Sequence, residues 1–439
     1  MERADVVVIG AGVAGLAAAR DLRAKGHRIL LIEARDRIGG RIFTHVEPGV
    51  PVPIELGAEF IHGLAPETRR LLRDTSLLAW DIDGEFRRLR CGRFVRGALR
   101  GTTDDVLRRI DTDRPDESFS EFLARRPGGR RLARARRAAR QFVQGFHAAD
   151  PDEISAHALA PDREDPASDA VGRSGRVDGG YARLADSLAR DLADAIRLRT
   201  VAEELSWEVG GVEVTAARSK RSLRFAARAA LVTLPLGVLQ APSGETHALT
   251  FRPDPPSFRK ALDLLAMGSA RRVVFRFREL PWMEVPRLRS ENAIDRLSFL
   301  RIESGPFRVW WTAYPADWPL AVAWCGGPPA SLARGDPEEV ADLALRNLAH
   351  DLGVSRRRLA SRVEAFWTHD WDADPCARGA YSYARVNGVN APDLLAKPLQ
   401  RTLFFAGEAT EGSQLGTVEG AIASGRRAAR QIDRALRRE

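Results

Sequence analysis

Short apolar runs and longer stretches of helical periodicity alternate along the chain. Val6–Ile9 reads VVVI, a β-branched run of the kind a buried strand shows. Apolar positions at Ala14, Leu16 to Ala19 and Leu22 then predict a helix closing near Gly26, and RILLIEA (Arg28–Ala34) predicts a second strand. Further strands are expected at Gly211–Thr215, Ala229–Leu234, Arg271–Phe277, Arg308–Tyr314 and Ala321–Cys325. Helices are expected after the glycine turn of Gly175–Ile196, from Arg130 onward, over Pro337–Gly353 and from about Gly416 to Leu436. This order predicts an α/β protein (α+β overall). A Rossmann-like domain, by its alternation of strand and helix, is expected from discontinuous segments, 1–75, 175–245 and 365–439. It interleaves with a substrate domain of mixed sheet and helices, 76–174 and 246–364. Within the latter, 76–170 reads as helical and arginine-rich, and the later block carries the strands.

The first strand runs directly into Gly10-x-Gly12-x-x-Gly15. Gly10 permits the tight turn, Gly12 lets backbone approach a diphosphate, and Gly15 lets helix and strand pack closely. Helix-start amides point at the phosphates. Glu33 follows 18 residues after Gly15, placed to accept hydrogen bonds from a ribose diol. Arg37, Gly39, Gly40 and Arg41 come next, a second source of amides and guanidinium groups for a diphosphate. That addition favours FAD over NAD. No second strand–glycine–helix unit is found, so a flavin re-oxidised without a nicotinamide, most simply by O2, is expected.

Composition changes this picture little. Of 439 residues, 44% are hydrophobic and 29% charged, as in ordinary globular proteins. No stretch nears the roughly 18 apolar residues of a membrane span. No secretory leader or apolar tail is read, and three well-separated cysteines (Cys91, Cys325, Cys376) argue against a disulfide framework or zinc site, so a cytoplasmic protein is expected. Net charge is +9 and only four of the 68 basic residues are lysines. The densest run, Arg125–Gln141, reads as a solvated helix face, with an anionic lipid or nucleic-acid surface as the alternative. No nucleic-acid partner is expected.

The chain resembles the flavin-containing amine oxidases, a family of monoamine and polyamine oxidases, histone demethylases and L-amino-acid oxidases. The resemblance rests on GAGVAG with Glu33, RIGGR, ELGAEFIHG (Glu55–Gly63), VDGGYARL (Val177–Leu184), LVTLPLGVL (Leu231–Leu239), WDADPCARGAYSY (Trp371–Tyr383), FFAGEAT (Phe404–Thr410) and GTVEGAIASGRRAA (Gly416–Ala429). These run in family order over nearly the whole chain. The resemblance implies FAD contacts at Gly10, Gly12, Gly15, Glu33, Ala34, Arg35, Gly39, Gly40, Arg41, Gly57, Ala58, Glu59 and Phe60. It implies more at Val201, whose backbone meets adenine, and at Trp371, Gly407, Glu408, Gly416, Thr417 and Val418. The last two would place a helix start beside the flavin pyrimidine edge, where its N–H groups favour the anion formed on reduction. No metal is implied.

Three departures matter. Ala380, not cysteine, precedes Tyr381, which implies non-covalent FAD. Thr417 stands where monoamine oxidases carry the second tyrosine of the amine cage, leaving Tyr381 as the one aromatic wall. Arg272 stands where the family commonly has a lysine that holds a water at the flavin; it stays protonated and can hold a water without acting as base. Arg272, Tyr381 and Thr417 are therefore the candidate catalytic positions, with His62, Glu59 and Tyr381 as candidate amine contacts. The implied reaction oxidises a primary or secondary amine, with O2 reduced to hydrogen peroxide. Alternatives are an L-amino-acid oxidase and a redox-silent FAD-binding scaffold. No long coiled-coil insertion interrupts 245–365, which argues against histone demethylation.

Overall fold

The computed structural model describes residues 1–90, 92–96, 101–161, 173–219, 221–289 and 294–437. Cys91 and part of the 76–170 block lie outside them.

The Val6–Ile9 strand is the middle of a five-stranded parallel sheet. Its order is Ile196–Arg197, Ile29–Ile32, Val6–Ile9, Ala229–Val232, Leu403–Phe405. Three distant stretches of sequence thus build one sheet, as the apolar pattern predicts. Both faces of the sheet are covered, which is why its four longer strands, all but the edge pair Ile196–Arg197, are apolar at every position. Val6, Val8, Leu31, Leu231 and Phe404 pack against three helices, Val13–Ala24, Ala182–Ala189 and Val418–Leu436. Val7, Ile9, Leu30, Val232 and Phe405 pack against Leu205, Val214 and Phe225 of a second five-stranded sheet. That sheet is centred on the meander Val201–Glu208, Gly211–Arg218, Arg221–Ala227.

A seven-stranded mixed sheet forms the other half of the molecule. Its order is Val363–Thr368, Ala270–Phe277, Leu320–Gly326, Val309–Thr312, Leu297–Arg301, Glu85–Arg90, Arg93–Arg96. All its pairings are antiparallel except Leu297–Arg301 with Glu85–Arg90. Val273, Phe275, Trp310 and Ala323 pack under the helix Pro337–Leu352. The opposite face, carrying Arg272, Trp311 and Trp324, looks toward the glycine turn of the parallel-sheet half.

The sequence reading of 76–170 as helical needs correction. Glu85–Arg90 and Arg93–Arg96 are strands and complete the mixed sheet. Their sequences, EFRRLR and RFVR, hide strand alternation because arginine occupies nearly every solvated position. The helical part is real: Ala133–Phe146 buries Ala135, Ala139 and Val143 and exposes Arg134 and Arg137. No described helix is long and apolar enough to cross a membrane.

Candidate active site

A continuous cavity of about 500 Å³ runs from the glycine turn into the space beneath the mixed sheet. At its first end, Gly10 sits at φ +106°, and a Cβ on Gly15 would stand 2.0 Å from the Gly10 carbonyl oxygen. Gly12 differs: a Cβ there meets nothing within 4 Å, because the residue faces the open cavity. The helix Val13–Ala24 begins there with no side-chain cap and no acid in its first turn. Its positive end is therefore offered to an external anion. Gly39 donates from its N–H to the Ala11 carbonyl at 2.9 Å, which sets the second glycine pair against the first.

Glu33 is buried. One carboxylate oxygen accepts from the Ala11 N–H at 2.8 Å and the other from the Arg35 N–H at 2.9 Å. A carboxylate has about four acceptor positions, so lone pairs remain for a diol. The Thr200 N–H donates to the Glu33 carbonyl at 2.8 Å and so brings Val201 to the cavity wall beside it. Arg35 pairs with Asp374 at 2.7 Å and lies over the Trp371 ring. Hydrogen bonds from His369 and Arg35, with the Arg35 charge, overcome burial and hold Asp374 well below the usual carboxylate range. Trp371 is anchored by its indole N–H, which donates to the Leu56 carbonyl at 2.9 Å.

Arg41 and Glu408 form a second pole. Arg41 Nη1 donates to Glu408 and to the Ala380 carbonyl, both at 2.8 Å. The other Glu408 oxygen accepts from Ser382 Oγ at 2.5 Å and from the Gly416 N–H at 3.1 Å. One carboxylate thereby joins the segments before Tyr381 and before the last helix. Thr417 is the N-cap of Val418–Leu436, its hydroxyl accepting from the Gly420 N–H at 3.0 Å and donating to the Gln414 carbonyl at 2.7 Å. Thr417 and Val418 both line the cavity. Glu419, one residue on, reaches away and caps the helix Pro66–Asp74 through the Glu67 and Thr68 amides.

Tyr381, Trp311, Trp324, Phe60 and His62 line the cavity further in. Tyr381 donates its hydroxyl to the Phe146 carbonyl at 2.7 Å, and burial raises its pKa above the ordinary phenol value. It stays neutral and its ring is held in place. His62 packs edge-on to Phe146, with ring centroids 5.4 Å apart. The Ala133–Phe146 helix thus contributes wall residues at its C-terminal end, a role its arginine-rich start concealed.

Arg272 is buried in the wall. Its Nη1 donates to the Glu55 and Gly57 carbonyls, both at 2.7 Å, and its guanidinium lies over the Trp311 and Trp324 rings. Its Nε–H has no partner among the described residues. Burial lowers its pKa, against the attraction of Glu59 and Glu55. Glu59, singled out as an amine contact, has its charge met inside the protein. It pairs with Arg176 at 2.8 Å, accepts from the Trp311 indole N–H at 3.0 Å, and lies 3.4 Å from Arg272. Arg176 and Asp374 escaped sequence reading because their partners lie more than 100 residues away. No group of three or more His, Cys, Asp or Glu side chains among the described residues is arranged to hold a metal ion.

A parallel Rossmann-like sheet whose glycine turn opens into an aromatic-walled cavity under a second sheet defines a dinucleotide-binding flavoprotein oxidoreductase. Residues 13–433 match the family described as flavin containing amine oxidoreductase, and the chain belongs to that family. Among curated proteins it is similar to polyamine oxidase 2 of Arabidopsis thaliana, at 28% identity over 97% of this chain and 87% of that one. Among solved structures, putrescine oxidase bound to putrescine superposes with a TM-score of 0.79 at 20% identity, covering 98% of this chain and 99% of that one. Cyclohexylamine oxidase from Brevibacterium oxydans IH-35A gives 0.77 at 23%, covering 99% of each. The protein is a flavin-dependent oxidoreductase acting on amines, on an FAD-binding fold.

Proposed function

We propose that the protein oxidises a small primary or secondary amine to an imine, which water hydrolyses to a carbonyl compound and ammonia or a smaller amine. O2 takes the two electrons and leaves as hydrogen peroxide. The observation that carries this reading is the continuity of the glycine cradle with the cavity walled by Tyr381. The residues fit FAD: Gly12 faces open space at an uncapped helix start, and Glu33 keeps acceptor capacity for a ribose. When bound, FAD supplies the two-electron acceptor.

The chain's own residues position and select. The turn at Gly10 and Gly12 would hold the diphosphate, Glu33 the ribose and the Val201 backbone the adenine. Gly15, buried against the Gly10 carbonyl and absent from the cavity wall, serves the close packing of helix on strand rather than contact with the cofactor. Arg41 and Glu408 brace the strand-to-helix junction, and the first amides of Val418–Leu436 would favour the negative charge that a bound flavin gains on reduction. Arg272 would hold a water by hydrogen bonding from its guanidinium. The Tyr381 ring orients the amine. The substrate must arrive as free amine, because an ammonium has no lone pair to assist C–H cleavage. The wall favours that form: Glu59 is matched by Arg176 and Arg272, so a buried ammonium meets positive potential.

Binding is non-covalent in this reading. Ala380 precedes Tyr381, and the Cys376 thiol faces His247 Nδ1 at 3.1 Å, with burial raising its pKa to about 11. We assign the protein to the cytoplasm; Cys325 and Cys376 are both free thiols, which supports a reducing compartment. An L-amino-acid oxidase finds less support. Arg378 is paired with Glu245 at 2.5 Å, and Arg272 is bound to backbone carbonyls. The test is peroxide release by the purified, FAD-loaded protein across benzylamine-like monoamines, putrescine, spermidine, spermine and L-amino acids. Turnover of amines but not amino acids supports the proposal, and turnover of amino acids alone overturns it. Bound flavin with no turnover of either would make the protein a redox-silent scaffold.

A further inference from the structure

The register of the mixed sheet places a row of residues across one face. Arg272 pairs with Trp324, Trp324 with Val309, and Val309 with Arg301. All four line the cavity. Cross-strand partners share a face, so the row is a ruler with Arg272 at one end and Arg301 at the other. Three strand spacings separate their backbones by about 14 Å. Tyr381 stands near the Arg272 end, close enough for the Arg272 charge to act on its hydroxyl.

The Arg301 end is cationic. Arg308 lines the cavity there, and Arg88 is the cross-strand partner of Arg301 on the next strand. The acid in this group is Glu303, which lies 3.7 Å from Arg88. Among the described residues no carboxylate lies within ion-pair distance of Arg301 or Arg308. Arg301 Nη2 donates to the Gln141 side-chain oxygen, which fixes the guanidinium plane, and Arg308 Nε donates to the Gly305 carbonyl at 2.9 Å. Burial first, and then the adjacent Arg88 and Arg308 charges, push Arg301 down to about 10. Each of these charges is relieved by an arriving anion.

We propose that the substrate amine carries a carboxylate at its far end, and that Arg301 and Arg308 form the subsite that takes it. This deepens the amine-oxidase reading and rests on it. A guanidinium fork matches a carboxylate in geometry and charge. A second ammonium at the same place meets two unpaired cations, which selects against diamines. The carboxylate of an α-amino acid sits two bonds from its nitrogen and cannot span the row, whereas that of an ω-amino acid can. The terminal CH2–NH2 loses two electrons and two protons to give the imine. Water then releases ammonia and leaves an ω-oxo acid, while O2 gains the electrons and protons as hydrogen peroxide.

The test compares 8-aminooctanoate, octylamine and 1,8-diaminooctane with FAD-loaded wild type, Arg301→Gln and Arg308→Gln. The expected kcat/KM for 8-aminooctanoate exceeds that for the diamine at least tenfold. The ratio of aminooctanoate to octylamine falls at least tenfold in either variant, through KM. Octanoate, which cannot be oxidised, serves as a binding probe read by tryptophan fluorescence. Its affinity falls at least tenfold in Arg301→Gln and weakens with salt. Equal or better use of the diamine, an unchanged ratio in both variants, or no octanoate binding overturns the subsite. Octanoate binding through Arg301 with no amine oxidised leaves the subsite standing and overturns the amine-oxidase reading.

Discussion

Arg41 and Glu408 meet at 2.8 Å across 367 residues of sequence, and the same carboxylate accepts from Ser382 and Gly416. This pair fixes the junction between the Tyr381 segment and the last helix. Glu408→Ala leaves a half-buried guanidinium without its partner and the Ser382 hydroxyl without its acceptor. The expected cost is about 2–4 kcal/mol, with FAD lost on gel filtration. Glu408→Gln, which keeps an acceptor, costs less and retains more flavin. Thermal unfolding and the flavin-to-protein absorbance ratio check both. Equal loss in the two variants would assign the whole effect to the charge, whereas a Glu408→Gln protein indistinguishable from wild type would show that the charge pair contributes nothing.

The two glycines of the cradle separate folding from cofactor binding. Gly12 has φ −69° and ψ 172°, and its Cβ would enter open space, so Gly12→Val leaves the fold within about 1 kcal/mol of wild type while filling the diphosphate site. FAD affinity should fall at least 100-fold. Gly15→Ala puts a Cβ against the Gly10 carbonyl and should destabilise the fold by at least about 2 kcal/mol. Denaturant melts and FAD titration of both variants check this. Loss of stability in Gly12→Val comparable to Gly15→Ala contradicts the assignment.

Elements written in local pattern were legible in the sequence. The Val6–Ile9 strand, its glycine turn and the Val13–Ala24 helix appear where apolar run and periodicity place them. Thr417 caps the last helix where that helix was read to begin. The Glu85–Arg90 strand was not legible, because its identity depends on pairing with Leu297–Arg301 some 200 residues on, and its arginines mask alternation. Glu33 could be named because motif spacing locates it. The Arg301 end of the cavity could not, since only strand register brings Arg88, Arg301 and Arg308 together. Glu59 shows the converse: its motif marked it as a site residue, but its carboxylate is already paired with Arg176, which no local pattern reveals.

Glu55 gives a pH signature. Burial, with a lesser push from Glu59, raises its carboxyl from 4.5 to about 7, against hydrogen bonds from the Tyr181 N–H and Thr44 Oγ1. Between those values the folded protein binds a proton that the unfolded chain releases. The contribution to stability is complete below about 4.5 and is lost as pH rises through 7. Its size is on the order of 3 kcal/mol. Glu55→Gln cannot ionise, so its melting temperature should gain on wild type steadily from pH 5 to pH 8. A difference that does not change with pH contradicts this account.

Tyr381 acts through its ring. Its hydroxyl is committed to the Phe146 carbonyl and stays protonated. Tyr381→Phe removes one hydrogen bond and should lower kcat/KM no more than about fivefold, a cost near 1 kcal/mol. Tyr381→Ala removes the wall and should lower it at least tenfold more. Steady-state peroxide assays across pH check the pair. A tyrosine-dependent limb in the pH profile that vanishes in Tyr381→Phe would instead assign the hydroxyl a proton-transfer role.

The central claim is that an amine meets a bound flavin in the cavity walled by Tyr381. Anaerobic mixing of the FAD-loaded protein with a panel of amines, followed by visible absorption, tests it most directly. The flavin band should bleach with at least one amine and return on admission of air, with one hydrogen peroxide formed per flavin re-oxidised. Protein that stays colourless after FAD supplementation, or yellow protein that no amine bleaches, contradicts it.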